Sequence, residues 1–335
     1  MKTKHFFYCM AFVMMLLGTA CTQDDDPTAG KVKVTFIAHL PETIDSRAIG
    51  DGSKANQLFF WVYDENDQEY ADLRRQNVDF DQTTNTSRVS AYLTPGHVYK
   101  FAFWAQHKNT TGYDPGTSSQ IKINYLDAKC NDELRDAFWG WIPNLYVDVA
   151  GEITQDIVLT RRLAQINVGI SPQGYQAAKS AGIDLKEYDS WIQVTGNPAG
   201  YTAFELRTGE ANTARTYRAP IITFDYDAMP DELLRAEGKT WVYLALNYFQ
   251  PRVAQQALVN VEMKLRHKVT GNILTFNFPN IPVKGTERTN ILLDDIIEYV
   301  DFDIIIDENF DNLDNNIYID QDGNQIPDPN GNGNG

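Results

Sequence analysis

The stretch LVNVEMKLRH at 258–267 does most to fix what this chain can fold into. Val259, Val261, Met263 and Leu265 alternate with Asn260, Glu262, Lys264 and Arg266. Side chains of an extended strand point alternately to opposite faces, so this order puts every apolar group on one side. A helix would spread both classes around its circumference. The reading is a strand with one face in a core and one in water. KVKVTFIAHL at 31–40 repeats the pattern through Val32, Val34, Phe36 and Ala38, and Pro41 ends it. LFFWVY at 58–63 is apolar without a break and reads as a strand buried on both faces.

Similar segments recur between turn residues. SRVSAYLT (87–94) passes through Pro95-Gly96 into VYKFAFWAQH (98–107), a hairpin signal. ITQDIVLTRRLAQINVGIS (153–171) reads as strand, charged break, strand. WIQVTG, YTAFEL and ARTYRAPIITF follow as short separate β segments, then KTWVYLALNYF (239–249) and GNILTFNFPNIPV (271–283). RTNILLDDIIEYVDFDIII (288–306) closes the folded region, and its VDFDIIID reads as a last strand or, alternatively, a strand donated to another subunit. Short helices are expected at 125–142, capped by Asn131 or Asp132, at 173–184 and at 229–238. About a dozen short strands with minor helices imply an all-β fold built of β-sandwiches. A length of 335 residues favours two of them. The boundary falls near Thr160-Arg161-Arg162, giving sandwiches at 31–160 and 161–306.

Beyond Ile306 the Asp/Asn/Gly-rich tail, 307–335, cannot bury enough apolar surface to offset its ordering entropy and is expected to be disordered. Only IYI at 317–319 has strand character there. A calcium loop around Gly323 fails because Tyr318 stands where an aspartate is needed.

The net charge of −16 argues against nucleic-acid binding, which needs clustered Lys and Arg to neutralise phosphates. No HExxH, Walker-A, GxGxxG, GxSxG or paired CxxC occurs, and the histidines at 5, 39, 97, 107 and 267 form no i, i+3 or i+4 pair. No catalytic residue, metal or cofactor is therefore expected. Asp294 and Asp295 are adjacent, so on a strand they face opposite ways and cannot share a reaction. Trp139 and Trp141 read as core aromatics ahead of a carbohydrate platform, and Cys130 as a small buried hydrophobe.

The first residues, MKTKHFFYCMAFVMMLLGTAC, combine Lys2 and Lys4 with an apolar run from Phe6 to Leu17 that is too short to span a bilayer. Small residues then precede Cys21. This resembles a bacterial lipoprotein signal over residues 1–20, which implies lipidation of Cys21; Gly18 stands where leucine is usual. The alternative is a plain signal peptide cut near Ala20. Removal of 1–20 deletes two lysines and no acids, taking the net charge from −16 to −18. It leaves Cys21 and Cys130, so no intrachain disulfide is expected once Cys21 carries lipid. Residues 21–30 read as a flexible tether.

Several phrases, in order, resemble the fimbrillin-like cell-surface lipoproteins of the Bacteroidales, which supply type V pilus subunits and related adhesins. They are KVKVTFIAHL with Ser46-Arg47-Ala48 behind it, VYKFAFWAQ (98–106), DELRDAFWG (132–140), LTRRLAQINV (159–168) and GTERTNILLDDI (285–296). The resemblance covers residues 1–300. It implies two transthyretin-like β-sandwiches and an outer-membrane lipoprotein exposed at the surface. It also implies a trypsin-like maturation protease that cuts between Arg47 and Ala48, removing the first strand so that another subunit's strand fills the groove. Asp24, Asp25 and Asp26 lie where related bacteria place an acidic surface-export signal; a solvated linker is the plain alternative. Implied partners are other pilus or fimbrillin-like subunits, the protease, a host or bacterial surface receptor, and the outer membrane through the lipid. The competing function is a glycan-binding outer-membrane lipoprotein for nutrient capture.

Overall fold

The computed structural model describes residues 28–41, 52–116, 119–148, 151–229, 233–236, 239–293, 296–297, 302–307, 316–319 and 325–326. The first half runs through β1 (Val32–His39), β2 (Gln57–Tyr63), β3 (Arg75–Asp79), β4 (Thr86–Leu93) and β5 (His97–Gln106). It continues with β6 (Tyr113–Asp114), β7 (Gln120–Ile123), β8 (Ala137–Val147), β9 (Ile153–Val158) and β10 (Thr160–Arg161). The second half opens with β11 (Ala164–Ile170), α1 (Pro172–Ser180), β12 (Tyr188–Tyr201), β13 (Ala203–Glu205), β14 (Glu210–Ala211) and β15 (Arg218–Ala228). Then come β16 (Leu233–Ala236), β17 (Lys239–Phe249), β18 (Ala257–His267), β19 (Ile273–Val283), β20 (Arg288–Leu293), β21 (Phe302–Asp307), β22 (Asn316–Ile319) and β23 (Gln325–Ile326). The all-β expectation holds.

The first sandwich sets a three-stranded sheet, β4-β1-β9, on a five-stranded one, β10-β8-β5-β2-β3. The second pairs a seven-stranded sheet, β16-β17-β11-β20-β21-β22-β23, with a four-stranded one, β15-β12-β18-β19. Val259, Val261, Met263 and Leu265 enter the second core, as their alternation demands. The unbroken apolar run of β2 has a matching explanation. Leu58, Phe60 and Val62 face the first core, whereas Phe59, Trp61 and Tyr63 face a third.

That third core is the part the sequence reading lacks. It joins Trp61, Trp104 and Trp139 of the first half to Phe204, Leu246 and Tyr248 of the second. A small sheet, β14-β13-β7-β6, crosses the same junction, with Phe204 opposite Ile121 and Ala203 opposite Lys122. Phe204 is fully buried, with its ring 5.4 Å from Trp104 and 6.3 Å from Trp139. Phe204→Ala is expected to cost about 3–5 kcal/mol, read as a lowered denaturant midpoint. An unchanged midpoint would show that the junction carries no stability.

Three local expectations need correction. The helix expected at 125–142 shrinks to a 3₁₀ turn, Glu133–Arg135, where the Asp132 carboxylate accepts from Leu134 N at 3.0 Å. β8 follows at once, because Phe138 goes to the first core while Ala137 and Trp139 go to the third, a period of two that a helix cannot satisfy. The helix at 229–238 is instead strand β16, paired with β17 from Leu233↔Val242 to Ala236↔Lys239. Sheet hydrogen bonds outweigh the helical propensity of a short segment here. WIQVTG and the start of YTAFEL are parts of one strand, β12, whose pairing with β15 is irregular between Thr195 and Gly200.

The helix at 173–184 is present as α1, and the Ser171 hydroxyl caps it by accepting from Gly174 N at 3.0 Å. VDFDIIID supplies β21, the strand after β20 in the second sandwich. In the tail, IYI pairs as β22 on β21, and β23 pairs on β22. The backbone groups along the free edge of β21 offer hydrogen bonds that a polar tail can take up without a core of its own.

Candidate functional site

The first strand is the feature on which the expected chemistry turns. β1 is the central strand of its sheet: it runs antiparallel to β4 from Val32↔Leu93 to His39↔Thr86 and parallel to β9 from Val34↔Ile153 to His39↔Val158. Val34, Phe36 and Ala38 have no solvent exposure. The Phe36 ring lies 4.5 Å from Phe101, 5.4 Å from Phe103 and 5.6 Å from Phe60, so one residue of β1 plugs an aromatic cluster. On the opposite face the contacts are polar. Thr35 Oγ1 lies 2.9 Å from Ser90 Oγ, His39 Nε2 2.7 Å from Asp156 and Lys33 Nζ 3.5 Å from Glu152.

Burial of apolar side chains of this size stabilises by about 1.5–3 kcal/mol each, so β1 supplies on the order of 10 kcal/mol. Net stabilities of whole domains are about 5–15 kcal/mol. A sandwich that loses β1 therefore needs another strand in its place.

The slot's end is well defined. Leu40 N donates to Asn85 O at 3.1 Å, and the next described residue after Pro41 is Gly52. Gly52 has φ +83°, and a Cβ there would meet the Phe138 ring at 2.7 Å and Arg161 at 3.2 Å. Beneath it the Arg161 guanidinium lies 4.7 Å above the Phe138 ring and grips Asp136 through Nε and Nη2 at 2.9–3.1 Å. Both charged side chains are 2% exposed. Glycine is required where the chain bears flat on this pair. Arg47 and Ala48 fall between Pro41 and Gly52, outside the described residues, as do Cys21, Asp24, Asp25 and Asp26.

Other residues singled out in the sequence are placed elsewhere. Cys130 is fully buried in the second core, and desolvation pushes its thiol up to about 12, the behaviour of a small hydrophobe. Trp139 is 8% exposed and donates from Nε1 to Leu206 O at 2.7 Å. Gly209, at φ +66°, lies so close that a Cβ would come within 2.5 Å of the indole. Trp141 is partly buried against Tyr63. Trp139, with Arg162 4.4 Å above its ring, offers no open platform. Asp294 and Asp295 lie outside the described residues. Among the described residues no cluster of three or more His, Cys, Asp or Glu could hold a metal, and no helix is long and apolar enough to cross a membrane.

One cleft has no counterpart in the sequence reading. At the irregular part of β12 the Asn197-Pro198 segment stands away from β15 and meets the residues after β17, enclosing about 300 Å³. Pro198, Tyr201 and Pro251 provide apolar surface, and Arg218 and Arg252 bring positive charge. The signal missed was the NPAG tetrapeptide, which reads as a simple turn when taken alone.

A family model matches residues 26–327 and is described as a family of unknown function, DUF6562. No curated protein matches. Among solved structures, a DUF1812 protein of Bacteroides thetaiotaomicron, provisionally called polysaccharide-binding, aligns at 13% identity and TM-score 0.50, covering 88% of this chain and 100% of that one. A provisionally named adhesin from the same species aligns at 17% identity and TM-score 0.47 over 83% and 96% of the two chains. The fimbrial anchor protein Mfa2 of Porphyromonas gingivalis aligns at 10% identity and TM-score 0.39 over 82% and 98%. The likeness to the DUF1812 structure, at 13% identity, is one of fold. The match over 26–327 places this chain in DUF6562, a family of unknown function.

Proposed function

We propose that this protein is a surface-exposed, lipid-anchored outer-membrane protein of the fimbrillin type, acting in adhesion or fimbrial assembly through exchange of its first strand. The observation that carries the reading is the position of β1: central in its sheet, buried along one face, and followed by the segment that contains Arg47. Strand addition satisfies the backbone groups of an opened sheet with another chain's strand, and the pockets left by Val34, Phe36 and Ala38 would select its apolar residues. Lipidation of Cys21 would supply the tether, Asp24, Asp25 and Asp26 the surface-export signal, and other subunits, a trypsin-like protease and a surface receptor the partners.

Limited trypsin digestion of the folded protein tests this. The expected product begins at Ala48, with the rest of the chain intact. Cleavage confined to other basic sites, such as Lys54, would overturn it. SDS-resistant ladders after the cut would mark self-assembly.

A second reading is glycan capture. It is supported by the provisional name of the DUF1812 structure and by the cleft beside Arg218 and Arg252.

A further inference from the structure

We propose that the cleft beside Asn197-Pro198 binds a sugar residue carrying a carboxylate. The proposal rests on the glycan-capture reading and adds the charge class of the ligand. The chain carries a net −16, yet none of the residues lining this cleft is acidic and two are arginines. Arg252 is held by neutral partners: its Nε donates to Tyr201 Oη at 3.3 Å and its Nη1 to Gln255 Oε1 at 3.0 Å. Those contacts orient the guanidinium; the nearby Glu210 carboxylate accepts from Val253 N and Ala254 N at 2.9–3.0 Å and is not among the residues lining the cleft. Arg218 sits directly across the strand pair from Tyr201, so the two side chains share a face, and both line the cleft with Arg252.

A guanidinium fork matches a carboxylate in a bidentate, charge-assisted geometry. The rest of the lining suits the remainder of a sugar. The amides of Asn197, Gln255 and Gln256 carry both donors and acceptors, as vicinal hydroxyls require, and the two prolines offer apolar surface to ring C–H groups. Small-molecule sites run from roughly 300 Å³ upward. This cleft therefore takes one sugar unit.

Calorimetric titration of the intact protein with methyl glucuronide and with its neutral isostere, methyl glucoside, tests the proposal. The glucuronide is expected to bind at least about tenfold tighter, the value of one charge-assisted contact. Arg218→Gln and Arg252→Gln together are expected to abolish the preference with an unchanged thermal melt; Arg218 is exposed, so its single variant guards against misfolding. Equal affinity for both sugars would overturn the charge assignment and leave glycan capture standing. Binding of neither would overturn both. A preference that survives in the double variant would overturn the placement in this cleft.

Discussion

Asp136→Ala is expected to lower the unfolding free energy by about 3–5 kcal/mol, because it strands a buried guanidinium without its counter-ion. Arg161 and Asp136 are each 2% exposed and joined through Nε and Nη2 of the guanidinium. Alanine would leave the positive charge of Arg161 against the Phe138 ring with no carboxylate to balance it. Replacing both partners, Asp136→Leu with Arg161→Met, should cost less than the single change, since no charge is then buried. Chemical denaturation of the three proteins reads this order directly. A single variant as stable as the parent would show that the pair does not hold the structure.

The pair also bears on the proposed cut at Arg47. It supports Gly52, the first described residue beyond Arg47, on β8 and β10 of the first sandwich. A cut at Arg47 would therefore free β1 on one side while the chain from Gly52 onward stays anchored. Asp136→Ala should accordingly broaden trypsin cleavage beyond Arg47, toward Lys54 and the basic residues around Arg161.

Much of the architecture is legible in the sequence because β-sheet periodicity is local. LVNVEMKLRH and KVKVTFIAHL declare their buried faces through alternation alone, and both sit as expected. Continuous apolar runs are harder to interpret. LFFWVY announces burial on both faces but cannot say that its two faces belong to two different cores. The same ambiguity made DELRDAFWGWI look helical, since Leu134 and Phe138 fall four apart whether or not a helix forms. Non-local pairing hides the rest: β13 finds β7 across more than eighty residues, and nothing at either end of that distance marks the partner. The cleft depends on Arg218 lying across from Tyr201 and on Arg252 reaching the same ring, contacts that exist only after three segments have come together.

The proposed strand exchange requires that β1 can be released and replaced. Thr35 and Ser90 face each other across β1 and β4 with their hydroxyls 2.9 Å apart, a position where a Cys pair can lock the strand. After trypsin cleavage, the parent protein should release its N-terminal peptide and take up a labelled synthetic peptide of residues 31–40, detected by native mass spectrometry. The oxidised Thr35→Cys, Ser90→Cys variant should be cut equally well yet take up none, and reduction should restore uptake. Equal uptake by locked and unlocked protein, or none by the parent after a clean cut at Arg47, would contradict strand exchange.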